Sequence, residues 1–385
     1  MTDIKQKNKI KILFITHTSF MAGANRSLLQ LMIELKNNYN IEPYVLIPKD
    51  KSNSTFIDIL AKNNIQYLVA RFSWFKSSKK AIKNYLYYIL NIFFYIEIAY
   101  KLKNITPDLI HSNSSTIDIG VFLSKLKKTK HIWHLREFGY SDYNLTPYFG
   151  KKYEKYIYNM PNNIFIAISK KIQSEYKRII TKREIYLIYN GLPLCNKLAS
   201  HINSTIQFCC IGLINESKNQ IEIIKAAKIL VNRYQCKNFH ITFAGIEDFS
   251  YKKLLTEYIE KNKLSNYVTF LGEIDNVSDL LINMDVGLMV STNEAFGRVT
   301  IEYMLHNLAV IASNSGANPE LIDDKINGLL YELHNIDNLS ELMYSLIQKP
   351  HTIKTLSNKA LISARNKFSS SSNTKSIYTL YKEIL

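Results

Sequence analysis

Cysteine is scarce in this chain of 385 residues: Cys195, Cys209, Cys210 and Cys236 form neither a C-x-x-C pair nor a disulfide-framework spacing. That argues against a cross-linked secreted scaffold and for buried thiols in a reducing compartment. Glycine and proline are also few, at 12 and 8. The matching surplus of Tyr, Asn, Lys and Ile carries little functional information. Long apolar runs are missing. The most apolar stretch, Tyr85–Ile96, is followed by Glu97 and falls short of the roughly 20 residues that span a bilayer. Burial against a sheet is the preferred reading of that stretch, as part of one long helix over Lys79–Lys103; a helix resting on a membrane interface is the alternative. At the start, the charged segment Met1–Lys11 leads into a short apolar core at Ile12–Thr16, so a secretory signal is not expected.

Acidic residues are the other shortage. The formal charge is +17, and it is unevenly placed: residues 1–190 hold 30 Lys and Arg against 13 Asp and Glu, whereas residues 191–385 hold 19 of each. Clusters at Lys76, Lys79, Lys80, Lys83 and at Lys125, Lys127, Lys128, Lys130 stand out. Such an asymmetry suits anionic lipid headgroups or a polyanionic acceptor. Nucleic acid is not the expected partner, because no zinc-finger spacing, RNP-like run or basic heptad helix accompanies the charge.

The length favours two domains. Apolar strand-like runs alternate with helical patterns along the whole chain, first from Ile10–Thr16 to Ile185–Ile188, then again from Ile206–Ile211 to Ala309–Ala312. This alternation predicts two Rossmann-like, doubly wound α/β domains facing an interdomain cleft. The turn signal Asn190-Gly191-Leu192-Pro193 places the boundary. The expected division is residues 1–190, residues 191–367 and a tail helix over 368–385 that packs back on the first domain.

Within the second half, Glu294-Ala295-Phe296-Gly297-Arg298-Val299-Thr300-Ile301-Glu302 follows the strand-like run Val286–Val290 and precedes helical spacing at Ile301, Met304 and Leu305. Glu294 is expected in the loop and Glu302 in the helix. Eight helical residues correspond to roughly 12 Å of rise, whereas a retaining glycosidase needs carboxyls about 5 to 5.5 Å apart. The pair therefore suits two points of one elongated ligand, with the backbone N–H groups of Phe296, Gly297 and Arg298 turned to an anionic group. Taken alone, an N-capping acid plus an exposed helical Glu reads equally well.

The following residues decide between these readings. The run from Tyr303 through Ser315-Gly316-Ala317-Asn318-Pro319-Glu320 to Asn327-Gly328-Leu329-Leu330, together with the acids spaced E-x7-E, resembles the signature of the retaining GT-B glycosyltransferases of family 4. Weaker likeness extends over nearly the whole chain. Gly212-Leu213-Ile214-Asn215-Glu216-Ser217-Lys218 resembles that family's diphosphate-binding loop, with Lys218 the cation for a leaving group that gains negative charge. Leu213 stands where the family usually carries Arg, and Arg298 is the expected substitute. Met21-Ala22-Gly23-Ala24-Asn25 resembles the family's G-G-A-E loop with Ala22 and Asn25 as departures, and Gly23 keeps the residue without a Cβ. His134 matches a histidine near the transferred sugar; Arg136 and Glu137 beside it pair with each other or touch acceptor.

The resemblance implies a nucleotide-diphosphate sugar as donor and a glycan or lipid-linked acceptor in surface polysaccharide assembly (capsule or O-antigen). It implies Glu302 on the ribose hydroxyls, Glu294 on a sugar hydroxyl, and Glu294, His134 and Lys218 at the reacting centre. Gly23, Gly212, Phe296, Gly297 and Arg298 complete the donor set. No D-x-D occurs, so no metal or other cofactor is expected. The implied location is cytoplasmic, with peripheral contact of the basic first domain at the inner membrane face. An inactive nucleotide-sugar-binding subunit and a GT-B epimerase or phosphorylase remain the alternatives.

Overall fold

The computed structural model describes residues 9–50, 55–78, 82–140, 144–200 and 204–385. Residues 1–8, Lys79, Lys80 and residues 201–203 of the expected linker lie outside them. The chain divides into two compact units, Met1–Gly191 with Ser370–Leu385, and Leu192–Ser369.

The first unit is built on seven strands: β1 (Ile10–Ile15), β2 (Ile41–Pro48), β3 (Gln66–Ala70), β5 (Leu109–Ser112), β6 (Lys130–Leu135), β8 (Asn163–Ala167) and β9 (Ile185–Leu187). They pair in the order β3-β2-β1-β5-β6-β8-β9, all parallel. The short β4 (Lys76–Ser77) and β7 (Thr146–Pro147) form a separate antiparallel pair. Alternation along β1 shows why the sheet is covered on both faces. Ile12 and Phe14 enter one apolar cluster with Leu28 and Met32, while Leu13 and Ile15 enter another with Tyr95, Ile98 and Leu123. The tail forms a helix over Ser370–Ile384, and its Ile377, Leu380 and Tyr381 belong to the first of these clusters.

The second unit has β10 (Ile206–Ile211), β11 (Phe239–Ala244), β12 (Val268–Phe270), β13 (Val286–Met289), β14 (Ala309–Ser313) and β15 (Leu329–Tyr331). Their order is β12-β11-β10-β13-β14-β15, again parallel. In both units the winding reverses, between β1 and β5 and between β10 and β13. These reversals are where open α/β sheets leave a crevice at the strands' carboxyl ends.

Two expectations are corrected. The long helix over Lys79–Lys103 is two helices, Ile82–Ile89 and Asn91–Lys101, and only one stripe of each is buried. The break falls at Leu90, next to Asn91, whose side chain takes up the N–H of Ser73 and donates to the Ser73 carbonyl. Lys76 is no member of a surface cluster. It is buried against Glu154 at 2.5 Å and lies within 6 Å of the Phe75, Tyr158 and Tyr176 rings. Asp118, at the N-cap of the helix Ile119–Lys127, makes no capping bond and accepts instead from Tyr88 and Tyr95.

His131 ties β5, β6 and β8 together. One ring nitrogen meets Ser112 Oγ at 2.8 Å and the other Asn163 Oδ1 at 2.9 Å. Gly120 is required beside it, as an added Cβ would stand 2.3 Å from the ring. Burial pushes the His131 pKa down to about 4. Above pH 6.5 the ring is neutral folded or unfolded; between 6.5 and about 4 only the unfolded chain takes up the proton. Stability should fall across that window by roughly 1.4 kcal/mol per pH unit for this group. Melting midpoints measured over the series should show a shallower fall in His131→Gln, and an unchanged slope would remove His131 from the account.

Candidate functional site

In the second unit, the site is built from the segments that leave β10 and β13. After β10 the chain turns at Gly212 (φ 131), against which Gly245 (φ 142) packs; a Cβ on Gly245 would lie 1.9 Å from the Gly212 carbonyl oxygen. Asn215 then caps the short turn Glu216–Lys218, accepting from Lys218 N at 3.1 Å, and Asn219 ends it in left-handed backbone. Leu213 is half exposed, and its carbonyl accepts from Gln220 Nε2 at 2.8 Å.

The segment after β13 is held from below. Gly316 (φ 57) approaches so closely that a Cβ there would sit 2.3 Å from the Glu294 nitrogen, and Ala317 N donates to Glu294 O at 2.8 Å. Gly297 (φ 82) opens the helix Arg298–Leu305. That helix is pinned by Tyr303, whose hydroxyl accepts from Ile211 N at 2.8 Å and whose ring covers Gly287 of β13. Phe296 is buried edge-on against Phe368.

These constraints bring the charged candidates together in pairs. Lys218 Nζ forms an ion pair with Glu294, and Arg298 Nε lies 3.3 Å from Glu302 Oε1. All four side chains are partly exposed, between 13% and 31%, so they remain open to exchange partners with a ligand. Two anions are balanced by two cations. An incoming diphosphate would compete for Lys218, and release of Glu294 leaves a carboxylate able to accept sugar hydroxyls.

In the first unit the candidates are differently placed. Gly23 is exposed at the first residue of the helix Gly23–Asn38, without left-handed backbone. Asn25, a departure from the resembled loop, is buried and donates to the carbonyls of Thr18 and Phe20 at 2.9 and 2.7 Å, so it shapes that loop. His134 is the penultimate residue of β6 and is fully buried. Arg136 donates to Asn113 Oδ1 and Asn190 Oδ1, both at 2.6 Å, and Nη2 lies 3.3 Å from His134 Nδ1. Glu137 accepts from Ser114 and Ser115 at 2.7 Å.

The protonation of His134 follows from its neighbours. Guanidinium only donates, so His134 Nδ1 must accept, and the proton of the neutral ring is at Nε2. His111 Nε2, 3.1 Å from the same Nδ1, is then a donor, and His111 Nδ1 accepts from Tyr381 O–H at 2.6 Å. Burial, with Arg136 adding to it, pushes both histidines well below their ordinary pKa. His134 Nε2 is buried without a hydrogen-bond partner in the protein. The geometry makes His134 a fixed N–H donor and not a base. His111 and Tyr381 went undetected because residues 270 positions apart meet only in the fold.

Among the described residues, no group of three or more His, Cys, Asp or Glu is placed to hold a metal.

The family described as Glycosyl transferases group 1 matches residues 199–382. An uncharacterized 41.2 kDa protein in the cps region of Klebsiella pneumoniae is 28% identical over 220 residues, which are 53% of this chain and 56% of that protein. The chain thus spans about half the length of that relative. The crystal structure of Anabaena HepE in complex with UDP superposes with a TM-score of 0.80 at 19% identity, covering 97% of this chain and all of that one. A glycosyltransferase from Rickettsia africae gives 0.77 at 20% identity, covering 98% and 99%. These likenesses show the GT-B fold.

The tautomer is open to measurement. Imidazole ¹⁵N shifts should show His134 protonated at Nε2, and Tyr381→Phe should cost about 1 to 3 kcal/mol by stranding the His111 acceptor. A proton on His134 Nδ1 would contradict the network.

Proposed function

Because the chain belongs to the glycosyl transferases group 1 family through residues 199–382, we propose that it is a retaining glycosyltransferase drawing on a nucleotide-diphosphate sugar. The observation that carries this reading is the Lys218–Glu294 pair beyond the carboxyl ends of β10 and β13, on the segment that continues into the helix of the Arg298–Glu302 pair. Uridine diphosphate is the first donor nucleotide to test, on the strength of the UDP held by the Anabaena protein.

In this proposal Glu302 accepts the ribose hydroxyls and Glu294 orients a hydroxyl of the donor sugar. Lys218 shifts from Glu294 to the diphosphate, and Arg298 supplies the second cation that Leu213 lacks. Gly212, Phe296 and Gly297 contribute backbone next to the phosphates, and Gly23, exposed at the start of the helix Gly23–Asn38, keeps its backbone open to a ligand. His134 presents its Nε2–H to a ligand hydroxyl. The bond from the anomeric carbon to the leaving phosphate oxygen breaks, and the acceptor oxygen bonds to the same face. The acceptor's proton passes to that phosphate. No protein nucleophile is needed, and fixed cations carry the developing charge.

The acceptor proposed is a glycan or lipid-linked glycan in bacterial surface polysaccharide assembly, supported by the Klebsiella relative in the cps region. The half-exposed Leu213 favours one competing reading, a subunit that binds donor without turning it over.

A thermal-shift screen of nucleotide sugars identifies the donor, which should raise the melting midpoint in proportion to affinity. With that donor, Lys218→Ala should lower kcat by about 10²-fold or more. Glu302→Gln should act mainly on donor KM. Donor-dependent stabilisation without diphosphate release over a broad acceptor panel would instead establish the binding subunit. Transfer should survive EDTA; loss restored by Mg²⁺ or Mn²⁺ would show that Lys218 and Arg298 do not suffice.

A further inference from the structure

The helices Ile82–Ile89 and Asn91–Lys101 carry two apolar faces where a surface helix needs one. On the second helix, Asn91, Tyr95 and Ile98 are buried with the following Leu102. At roughly 100° per residue these positions share one side. Ile92, Phe93, Ile96 and Tyr100 fall on the other side, and they are 57% to 67% exposed. Ile82 and Leu86 of the first helix extend the exposed face, at 78% and 56%. A monomeric protein rarely leaves so many large apolar side chains contiguous in water.

The buried side is secured by apolar packing and by polar contacts: Tyr95, Ile98 and Leu102 join the cluster of Leu13, Ile15 and Leu123. The hydroxyls of Tyr88 and Tyr95 meet the two oxygens of Asp118 at 2.5 and 2.6 Å, and Asn91 holds the backbone of Ser73.

Basic side chains adjoin this face. Tyr85 touches Phe149 ring to ring at 5.4 Å, and Phe149 begins the helix Gly150–Tyr158, which exposes Lys151, Lys152 and Lys155. Lys101 and Lys103 are exposed at the far end of the second helix. Helices of 8 and 11 residues are far shorter than the roughly 20 needed to cross a bilayer. Among the described residues no helix is long and apolar enough to do so. Apolar and aromatic side chains on short helices, bordered by lysines, match a surface that lies in the headgroup region of an anionic membrane.

We propose that this face, Ile82–Tyr100 with the lysines of Gly150–Tyr158, docks the first unit onto an anionic lipid bilayer. The apolar side chains enter the acyl boundary and the lysines meet lipid phosphates. The proposal goes beyond sugar transfer and does not depend on it, so its test reads binding alone.

The full chain is sedimented with vesicles of phosphatidylcholine, with and without phosphatidylglycerol, at low and high salt. Binding is expected on the anionic vesicles and should weaken as salt rises. The double variant Phe93→Ser/Ile96→Ser should lower the bound fraction by about tenfold or more. The triple variant Lys151→Glu/Lys152→Glu/Lys155→Glu changes only exposed positions and should abolish the preference for phosphatidylglycerol. A melting curve like that of the parent shows each variant folded. Absence of binding by the parent chain, or undiminished binding by both variants, overturns the proposal. So does a concentration-dependent dimer that the Phe93/Ile96 variant disrupts while the parent ignores vesicles, which would assign the face to a second copy of this chain.

Discussion

The ion pair between Lys218 and Glu294 is the contact on which the second unit's site depends. It joins the two segments that leave neighbouring strands β10 and β13, where the winding of the sheet reverses. Each partner arrives there by a backbone constraint: Lys218 by the Asn215 cap and Glu294 by the close passage of Gly316. A carboxylate and an ammonium held this way are matched in charge before any ligand arrives, and their partial exposure keeps the cost of exchanging partners low. The Arg298–Glu302 pair is of a different kind, joining two residues of one helix. Each acid of the site thus faces a cation.

The first unit solves a different problem. Its charged and aromatic groups are locked: His134 by Arg136 and His111, His111 by Tyr381 of the last helix, and Lys76 inside an aromatic cage with Glu154. Burial of that kind removes conformational and protonation freedom together, because a neutral buried imidazole keeps the tautomer its neighbours impose. The final helix therefore does more than cover the sheet. Through Tyr381 it donates to His111, the ring that in turn donates to His134 Nδ1 beside Arg136. The apolar face of Ile82–Tyr100 is the exception to this order, since its anchoring lies on the side away from solvent.

Much of this was legible in the residue order. The alternation of apolar runs with helical patterns described both sheets, and the E-x7-E spacing located Glu294 in a loop and Glu302 in a helix. Those signals are local: a strand buried on both faces is apolar throughout, and a Gly before a helix marks its start. Two signals misled. Periodicity continued a helix that breaks beside Asn91, and Lys76 leaves a lysine-rich stretch for the interior. Each depends on a partner remote in sequence, which a local pattern does not contain.

By itself the sequence determined two doubly wound units, the acids of the second, the lysine beside them and the excess of positive charge in the first. Those follow from period, spacing and composition, which need no coordinates. Only the tertiary structure decided that each acid is already paired with a cation, that His134 is an N–H donor, and that the aromatic helices turn half their apolar surface outward. Pairing, tautomer and exposure are properties of what stands within a few ångströms of a side chain, and chain order leaves those neighbours open until the sheets and helices close around them.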